Sequence, residues 1–224
     1  MRYTNLFLRR LVFLGVTLAL IDLMVVPPAY AQDFKPSRAA IEANDWGTAI
    51  PLLRAILEDK PKSHEAHYLL GMALKGSGQL DEAFTEFEIT VKRKGKFVDG
   101  RYELAMMQIV RGMYEEAVKN LAEAEKRSKG KDARIFYAQG LMKARQSREL
   151  TEKNGAAGEI KRLQTEARNL MTKAMALESD NAVFVRGLGD VYKEMKVWGM
   201  AINQYNKALA MNPNSSDAAV TQYQ

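Results

Sequence analysis

The chain has 224 residues, of which 47% are hydrophobic and 27% are charged, with 6 prolines and 15 glycines. This composition is typical of an ordered globular or repeat protein and excludes a disordered or collagen-like chain. The absence of cysteine excludes disulfides, thiolate metal sites, a cysteine nucleophile and a lipid-modified N-terminal cysteine. The net charge of +6 comes from interspersed charges of both signs, whereas nucleic-acid binding requires a concentrated basic face. We therefore predict no nucleic-acid partner.

Residues 1–31 predict a secretory signal peptide. The first ten residues include Arg2, Arg9 and Arg10, and an apolar run from Leu11 to Val26 follows. Pro27-Pro28 and then Ala29-Tyr30-Ala31 end the segment. Basic, apolar and small-residue regions in this order indicate cleavage after Ala31 and a periplasmic or secreted protein with no membrane-inserted segment. The alternative is an uncleaved membrane anchor. The short apolar run and the Asp22 within it make a bilayer span unfavourable.

The remaining sequence contains an internal repeat. Alanines recur at intervals of 34, 34, 50 and 34 residues, at Ala49, Ala83, Ala117, Ala167 and Ala201. Large side chains recur three residues before or four residues after these alanines, and they include Trp46, Trp198, Phe87 and Tyr205. Small residues recur twelve residues before, including Gly71 and Gly189, and prolines follow twelve residues after two of them, at Pro61 and Pro213. Several residue types thus keep one register.

This register has a packing reason. A small residue in one helix lets a second, antiparallel helix approach closely, and we expect the repeat alanine of the second helix to meet it. Large side chains one turn away then fill the remaining space. Gly78 and Gly112 suit the tight turn between the two helices, and Pro61 and Pro213 prevent the second helix from continuing. The spacing predicts an all-α fold of antiparallel helix pairs.

In these residues the chain resembles the tetratricopeptide repeat (TPR) family, in a secreted or periplasmic bacterial form. The most complete copy contains Leu188-Gly189, Tyr192, Trp198, Ala201, Tyr205, Ala208-Leu209 and Pro213. The resemblance implies a right-handed superhelical solenoid with about five repeats in residues 32–215. The expected repeats are 32–63, 64–97, 98–131, 133–181 and 182–215, and residues 216–224 would start a capping or further helix.

Two copies depart from the family pattern. The first is truncated, because Pro36 interrupts its first helix, and we expect the hydroxyl of Ser37 to cap what remains. The fourth, 133–181, carries 16 extra residues, which predict two longer helices joined by Asn154–Gly158 in a hairpin over 141–166. Mixed charges on this hairpin are consistent with a solvated insertion and with a partner-binding protrusion.

No catalytic motif is recognisable. His64 and His67, the only histidines, lie three residues apart on one predicted helix, and we interpret them as a surface and a core histidine. The sequence has no glycine-rich phosphate loop and no nucleophile beside a plausible base. We therefore predict no enzymatic activity, no cofactor and no metal.

The resemblance places a ligand groove on the first helices of the pairs. One set of groove positions holds Tyr68, Tyr102, Tyr137 and Arg186, and the positions one turn further on hold Met72, Met106, Leu141 and Asp190. Tyrosine and methionine suit an extended or helical peptide, so we predict a cell-envelope scaffold or adaptor with a protein partner. Alternatives are a homo-oligomeric structural protein, assembling through the hairpin 141–166 or the C-terminal repeat, and an accessory protein that contacts glycans through exposed aromatics.

Overall fold

The computed structural model describes residues 33–212, and the predicted signal peptide, Pro213 and residues 216–224 lie outside this range. The described residues contain no β-strand. Their helices are α1 Lys35–Glu42, α2 Trp46–Asp59, α3 His64–Gly76, α4 Leu80–Arg93, α5 Val98–Val110, α6 Tyr114–Ser128, α7 Ala133–Glu152, α8 Ala157–Leu177, α9 Ala182–Glu194 and α10 Trp198–Met211. Consecutive helices pack as antiparallel pairs, and each pair packs on the next. The prediction of an all-α, TPR-like solenoid is confirmed.

The turn between the helices of a pair follows one design. The residue five positions before the repeat alanine adopts a left-handed conformation at Asn44, Gly78, Gly112 and Lys196. The next amide then donates back to the first helix, as in the 2.8 Å bond from Gln79 N to the carbonyl oxygen of Leu74. This pattern satisfies carbonyl groups that a helix end leaves unpaired. Each regular pair therefore turns within three residues.

The repeat alanines lie at the closest contacts between helices, with exposures of 0–2%. The residues nearest the small positions of the first helices are nevertheless the large ones four positions after the alanine. A Cβ atom on Gly71 would lie 2.7 Å from Cε1 of Phe87, and one on Gly189 would lie 2.7 Å from Cε1 of Tyr205. In these two pairs aromatic rings fill the space that the glycines leave, whereas in the fourth pair Gly140 faces Met171 and the carbonyl oxygen of the repeat alanine Ala167.

The two tryptophans that share a repeat position have different surroundings. Trp46 packs against the core and lies over Gly76, where a Cβ atom would be 2.5 Å from its Cζ2. Trp198 was expected to fill space in the same way, but 57% of it is exposed. Among residues 33–212 no helix follows α10, so nothing in this range occupies the place that α3 takes over Trp46. Trp198 is therefore not a packing residue in the described structure.

The first helix is short, as the truncated repeat predicts, but it starts differently. Pro36 is the second residue of α1, in the first turn, where an amide hydrogen has no helical acceptor. Pro36 therefore begins this helix instead of interrupting it. Ser37 does not cap the helix: its hydroxyl is buried and donates to the carbonyl oxygen of Phe34 at 2.9 Å.

The fourth pair carries the insertion as helix. Helices α7 and α8 contain 20 and 21 residues, where α5 and α10 contain 13 and 14. Seven extra residues in each helix, at 1.5 Å per residue, correspond to about 10 Å of added length. Contacts at the base fix the hairpin on both sides, since Glu149 accepts a hydrogen bond from Tyr114 of α6 and Arg148 pairs with Glu194 of α9. The base of the hairpin is thus packed into the array, while most residues around its tip are exposed.

No helix within residues 33–212 combines the length and apolar character needed to cross a bilayer.

Candidate functional site

The first helices of the pairs, α1, α3, α5, α7 and α9, form one side of the solenoid. Direct packing joins α1 to α3, α5 to α7 and α7 to α9. Ion pairs join successive members as well: Arg38 to Glu65 at 2.6 Å, Lys75 to Glu103 at 2.5 Å, and Arg134 to Asp99 at 2.7 Å. These pairs fix the spacing between neighbouring repeats. We refer to this side as the first-helix face.

Tyr68 lies on this face of α3 and is partly buried. Its ring meets the ring of Phe97 edge-on, with centroids 5.0 Å apart, and lies 6.1 Å from the ring of Phe87. Burial, and then the nearby Glu103 carboxylate, raise the pKa of the Tyr68 hydroxyl to about 12. Tyr68 is therefore neutral and held in place by its neighbours.

Tyr102 occupies the same place on α5, beside a charged group. The Arg134 guanidinium lies over its ring, 5.1 Å from the centroid, and is held there by Asp99 and Asp132. Glu103 is only 7% exposed and bonds to Lys75. Burial and the Glu103 carboxylate raise the pKa of Tyr102. The middle of the first-helix face is thus a rigid platform with internally paired charges.

Tyr137 completes the series on α7. Its ring stacks on Phe184 with centroids 5.1 Å apart, and it uses space left by a glycine, since a Cβ atom on Gly187 would lie 2.7 Å from its Cε2. Burial raises the pKa of Tyr137. The three tyrosines therefore lie on successive first helices, and each packs against its neighbours.

The other predicted groove residues lie on the same helices. Met72 packs against the N-terminal core, while Met106 and Leu141 pack against the central core, and all three are half-buried. Arg186 is half-buried on α9, and the exposed Asp190 accepts a hydrogen bond from the hydroxyl of Tyr205 at 2.9 Å. The face therefore combines tyrosines, half-buried methionines and internally paired charges over α3, α5 and α7, and carries charged residues on α9.

Four residues that shape this face were not predicted from the sequence: Phe97, Glu103, Arg134 and Phe184. Phe97 immediately precedes α5, and Phe184 lies in the first turn of α9. The ring of each contacts a tyrosine on the preceding first helix. In the sequence, these two residues are recognisable only as aromatic residues close to the start of a first helix. That position is not part of the repeat pattern, so the pattern did not indicate them.

The two histidines lie in different surroundings. His67 is buried, with Nδ1 2.6 Å from a Glu86 carboxylate oxygen and Nε2 3.2 Å from the carbonyl oxygen of Pro61. His64 meets the ring of Phe97 edge-on. Within residues 33–212, no three histidine or carboxylate side chains are grouped so as to hold a metal ion.

Comparison with known proteins agrees with this architecture. Residues 40–96 match the tetratricopeptide repeat family. No curated protein matches the sequence significantly. Among solved structures, TTC0263, a thermophilic TPR protein of Thermus thermophilus, superposes with a TM-score of 0.67 at 23% identity, covering 85% of this chain and 95% of that one.

Two further solved structures share the fold. MamA from Desulfovibrio magneticus RS-1, residues 41 to the end, gives a TM-score of 0.60 at 17% identity, covering 84% of this chain and 97% of that one. The human IFIT1 dimer with m7Gppp-AAAA gives 0.66 at 16% identity, covering 80% of this chain and 42% of that one. At these identities the likeness concerns the fold.

The stacked helix pairs and the first-helix face define a helical-repeat protein. Residues 40–96 match the tetratricopeptide repeat family, and the helix pairs of the described residues form a TPR-like solenoid. Repeats of this family are protein-interaction modules.

Proposed function

We propose that this protein is a non-enzymatic scaffold of the cell envelope that binds a polypeptide segment of a partner along its first-helix face. The envelope location rests on the signal-peptide pattern of residues 1–31. The binding role rests on the arrangement of Tyr68, Tyr102 and Tyr137 on successive first helices.

Preorganisation of these tyrosines is the observation that carries the proposal. Phe97 holds the ring of Tyr68, Arg134 lies over Tyr102, and Phe184 stacks on Tyr137. A ring that is already immobile loses little conformational entropy when a ligand covers its remaining surface. Met72 and Met106, one turn further on, have flexible side chains that adjust to a ligand's shape. Rigid aromatics beside adaptable thioethers suit a peptide.

The methionines give the cleanest test. Replacing the tyrosines by alanine would remove core contacts as well, so loss of binding would be ambiguous. Met72→Gln together with Met106→Gln keeps unbranched, helix-favouring side chains at half-buried positions and makes the face polar. The matched control is Val118→Gln, an exposed apolar position on the second helix α6.

Partners are captured by crosslinking in cells that express the tagged protein, and their enrichment is measured by quantitative mass spectrometry. We expect the double methionine variant to lose at least about tenfold of partner enrichment, equivalent to ~1.4 kcal/mol, while Val118→Gln retains it. Equal urea midpoints for all three proteins establish that folding is intact. Unchanged enrichment in the double variant would contradict binding at this face.

A second candidate function is homo-oligomeric assembly through the C-terminal repeat. Several large apolar side chains on helix α10 and at the residue before it have exposed fractions of 36–57%. They are Val197, Trp198, Met200, Ile202 and Met211. Clusters of this kind on a protein surface indicate an interaction site. Light scattering tests this candidate: Met200→Gln with Ile202→Gln should then reduce an oligomer to the monomer mass. A monomeric parent protein would eliminate the candidate.

A further inference from the structure

A cleft of about 440 Å³ lies where the long fourth pair meets the fifth. Its walls come from Arg148 on α7, from the C-terminal end of α9, and from the turn leading into α10, and its lining residues are Arg148, Asp190, Lys193, Glu194, Lys196 and Trp198. Arg148 belongs to the part of α7 that exceeds the length of the other first helices. The insertion therefore builds one wall of this cleft.

The charges of the cleft do not cancel locally. Glu194 is paired with Arg148, and Asp190 accepts the hydroxyl hydrogen of Tyr205. Lys193 and Lys196 have no carboxylate partner within the part of the chain that the structure describes. Two ammonium groups thus remain available at the mouth of the cleft.

Lys196 stands at a position where lysine is unfavourable for the backbone. Its φ is +58°, and the equivalent turn positions in the second and third pairs hold Gly78 and Gly112, with φ of +82° and +73°. A side chain costs free energy in the left-handed region, and glycine avoids that cost. Asn44, Lys129 and Asn154 also adopt this conformation among the described residues, so a side chain is tolerated there, and replacing Lys196 with glycine should relieve strain.

Trp198 supplies an apolar surface beside these charges. It is 57% exposed and lies two residues after Lys196, at the first position of α10. Burying an indole ring contributes strongly to association, so this ring offers an apolar contact to a ligand. The cleft therefore combines two cationic groups with one aromatic platform.

We propose that this cleft binds an acidic segment of the partner polypeptide, in which carboxylates contact Lys193 and Lys196 while an apolar or aromatic side chain covers Trp198. The inference rests on the proposed scaffold function and specifies the chemistry of its partner. A polypeptide is favoured because the cleft is continuous with the first-helix face: Asp190 lines the cleft and stands one turn after the groove residue Arg186 on α9. A chain lying along the tyrosines would reach the cleft at its end.

The test uses the full-length protein and a fluorescein-labelled peptide of repeating Glu-Leu-Glu-Phe, with a Gln-Leu-Gln-Phe peptide as the neutral probe. Binding is followed by fluorescence anisotropy at low salt. Lys196→Gly is the central variant, because it removes the ammonium group while giving the turn the residue found at Gly78. Asn44→Gly is its matched control, at the same turn position of the first pair.

We expect the acidic peptide to bind and the neutral peptide to bind more weakly. Lys196→Gly and Lys193→Gln should each weaken binding about threefold to fivefold, and the double variant about tenfold, as exposed charge contacts do. Asn44→Gly should bind as the parent protein does. The urea midpoint of Lys196→Gly should equal or exceed that of the parent, which separates lost binding from lost folding.

Equal affinity of Lys196→Gly and the parent, or equal affinity for the two peptides, would overturn the proposal. So would displacement of the peptide by millimolar inorganic phosphate or a nucleotide, since either would assign the cleft to small anions. A failure of the scaffold function looks different: the acidic peptide would still bind in a Lys196-dependent way, while partner enrichment would be unaffected by changes at Met72 and Met106.

Discussion

The contact between Gly71 and Phe87 allows the repeat interpretation to be tested by stability measurements. A Cβ atom on Gly71 would lie 2.7, 2.9 and 3.0 Å from three carbon atoms of the Phe87 ring. That ring is fully buried, so it has no open space to move into. Gly71→Ala should therefore force a shift in a closely packed core.

The expected free energies follow from two opposing effects. Alanine is more favourable than glycine within a helix by about 1 kcal/mol, whereas overpacking a core costs about 1–3 kcal/mol. The balance predicts a loss of roughly 1 kcal/mol for Gly71→Ala in the parent protein. In a Phe87→Leu background the opposing ring is gone, and the same change should gain close to ~1 kcal/mol. The two positions should thus show a coupling energy of about 2 kcal/mol.

Urea unfolding of the parent, both single variants and the double variant, followed by circular dichroism in the far ultraviolet, measures this coupling. Gly199→Ala is the control, because a Cβ atom there has no neighbour within 4 Å and should cause no loss. If Gly71→Ala stabilises the parent and the Phe87→Leu protein by the same amount, the coupling is zero, and the glycine does not serve close packing.

Three further predictions concern the hairpin and the tyrosines. Ser147→Ala should raise the free energy of unfolding by about 1 kcal/mol in urea titrations, because the Ser147 hydroxyl is buried without a hydrogen-bond partner among the described residues; a loss of stability would show an unseen partner. Replacing residues 146–163 with the turn sequence Ser-Gly-Gln should leave a folded helical array by circular dichroism, because α7 and α8 would regain the lengths of the other pairs; loss of the folded state would contradict that register. The pKa of Tyr68 is about 12 when folded and 10.0 in the reference state, so the neutral ring stabilises the fold fully below pH 10, and this contribution is lost as the pH rises from 10 to 12. Urea midpoints should therefore fall across this range, and fall less in Tyr68→Phe; equal slopes would refute the assignment to Tyr68.

The sequence predicted those features that repeat. Ala49, Ala83 and Ala117 are identical because each occupies the same closest contact between two helices, and such a position leaves little room for another side chain. Their spacing was therefore sufficient to predict the fold. The same reasoning assigned Tyr68 and Tyr102 to equivalent positions of α3 and α5, since both keep one position relative to those alanines.

Features that depend on neighbours outside the register were not predictable in this way. Trp198 and Trp46 share a repeat position, and within residues 33–212 they differ in exposure because α3 packs over Trp46 alone. Arg148 and Glu194 lie 46 residues apart and meet because the insertion lengthens α7, a contact with no counterpart in the regular copies. The cleft therefore could not be predicted from a pattern that describes the average repeat.

The length of the insertion has a consequence for how this array tolerates change. Seven residues at about 100° each rotate a helix by roughly 700°, which is within about 20° of two complete turns. The turn at the tip consequently leaves α7 in nearly the same direction as from a helix of regular length. Five added residues would have rotated the start of this turn by about 140° around the helix axis. Natural or engineered changes in the length of this hairpin should therefore occur in steps of seven residues per helix. Each step would move the tip further from the array without changing the direction of its turn.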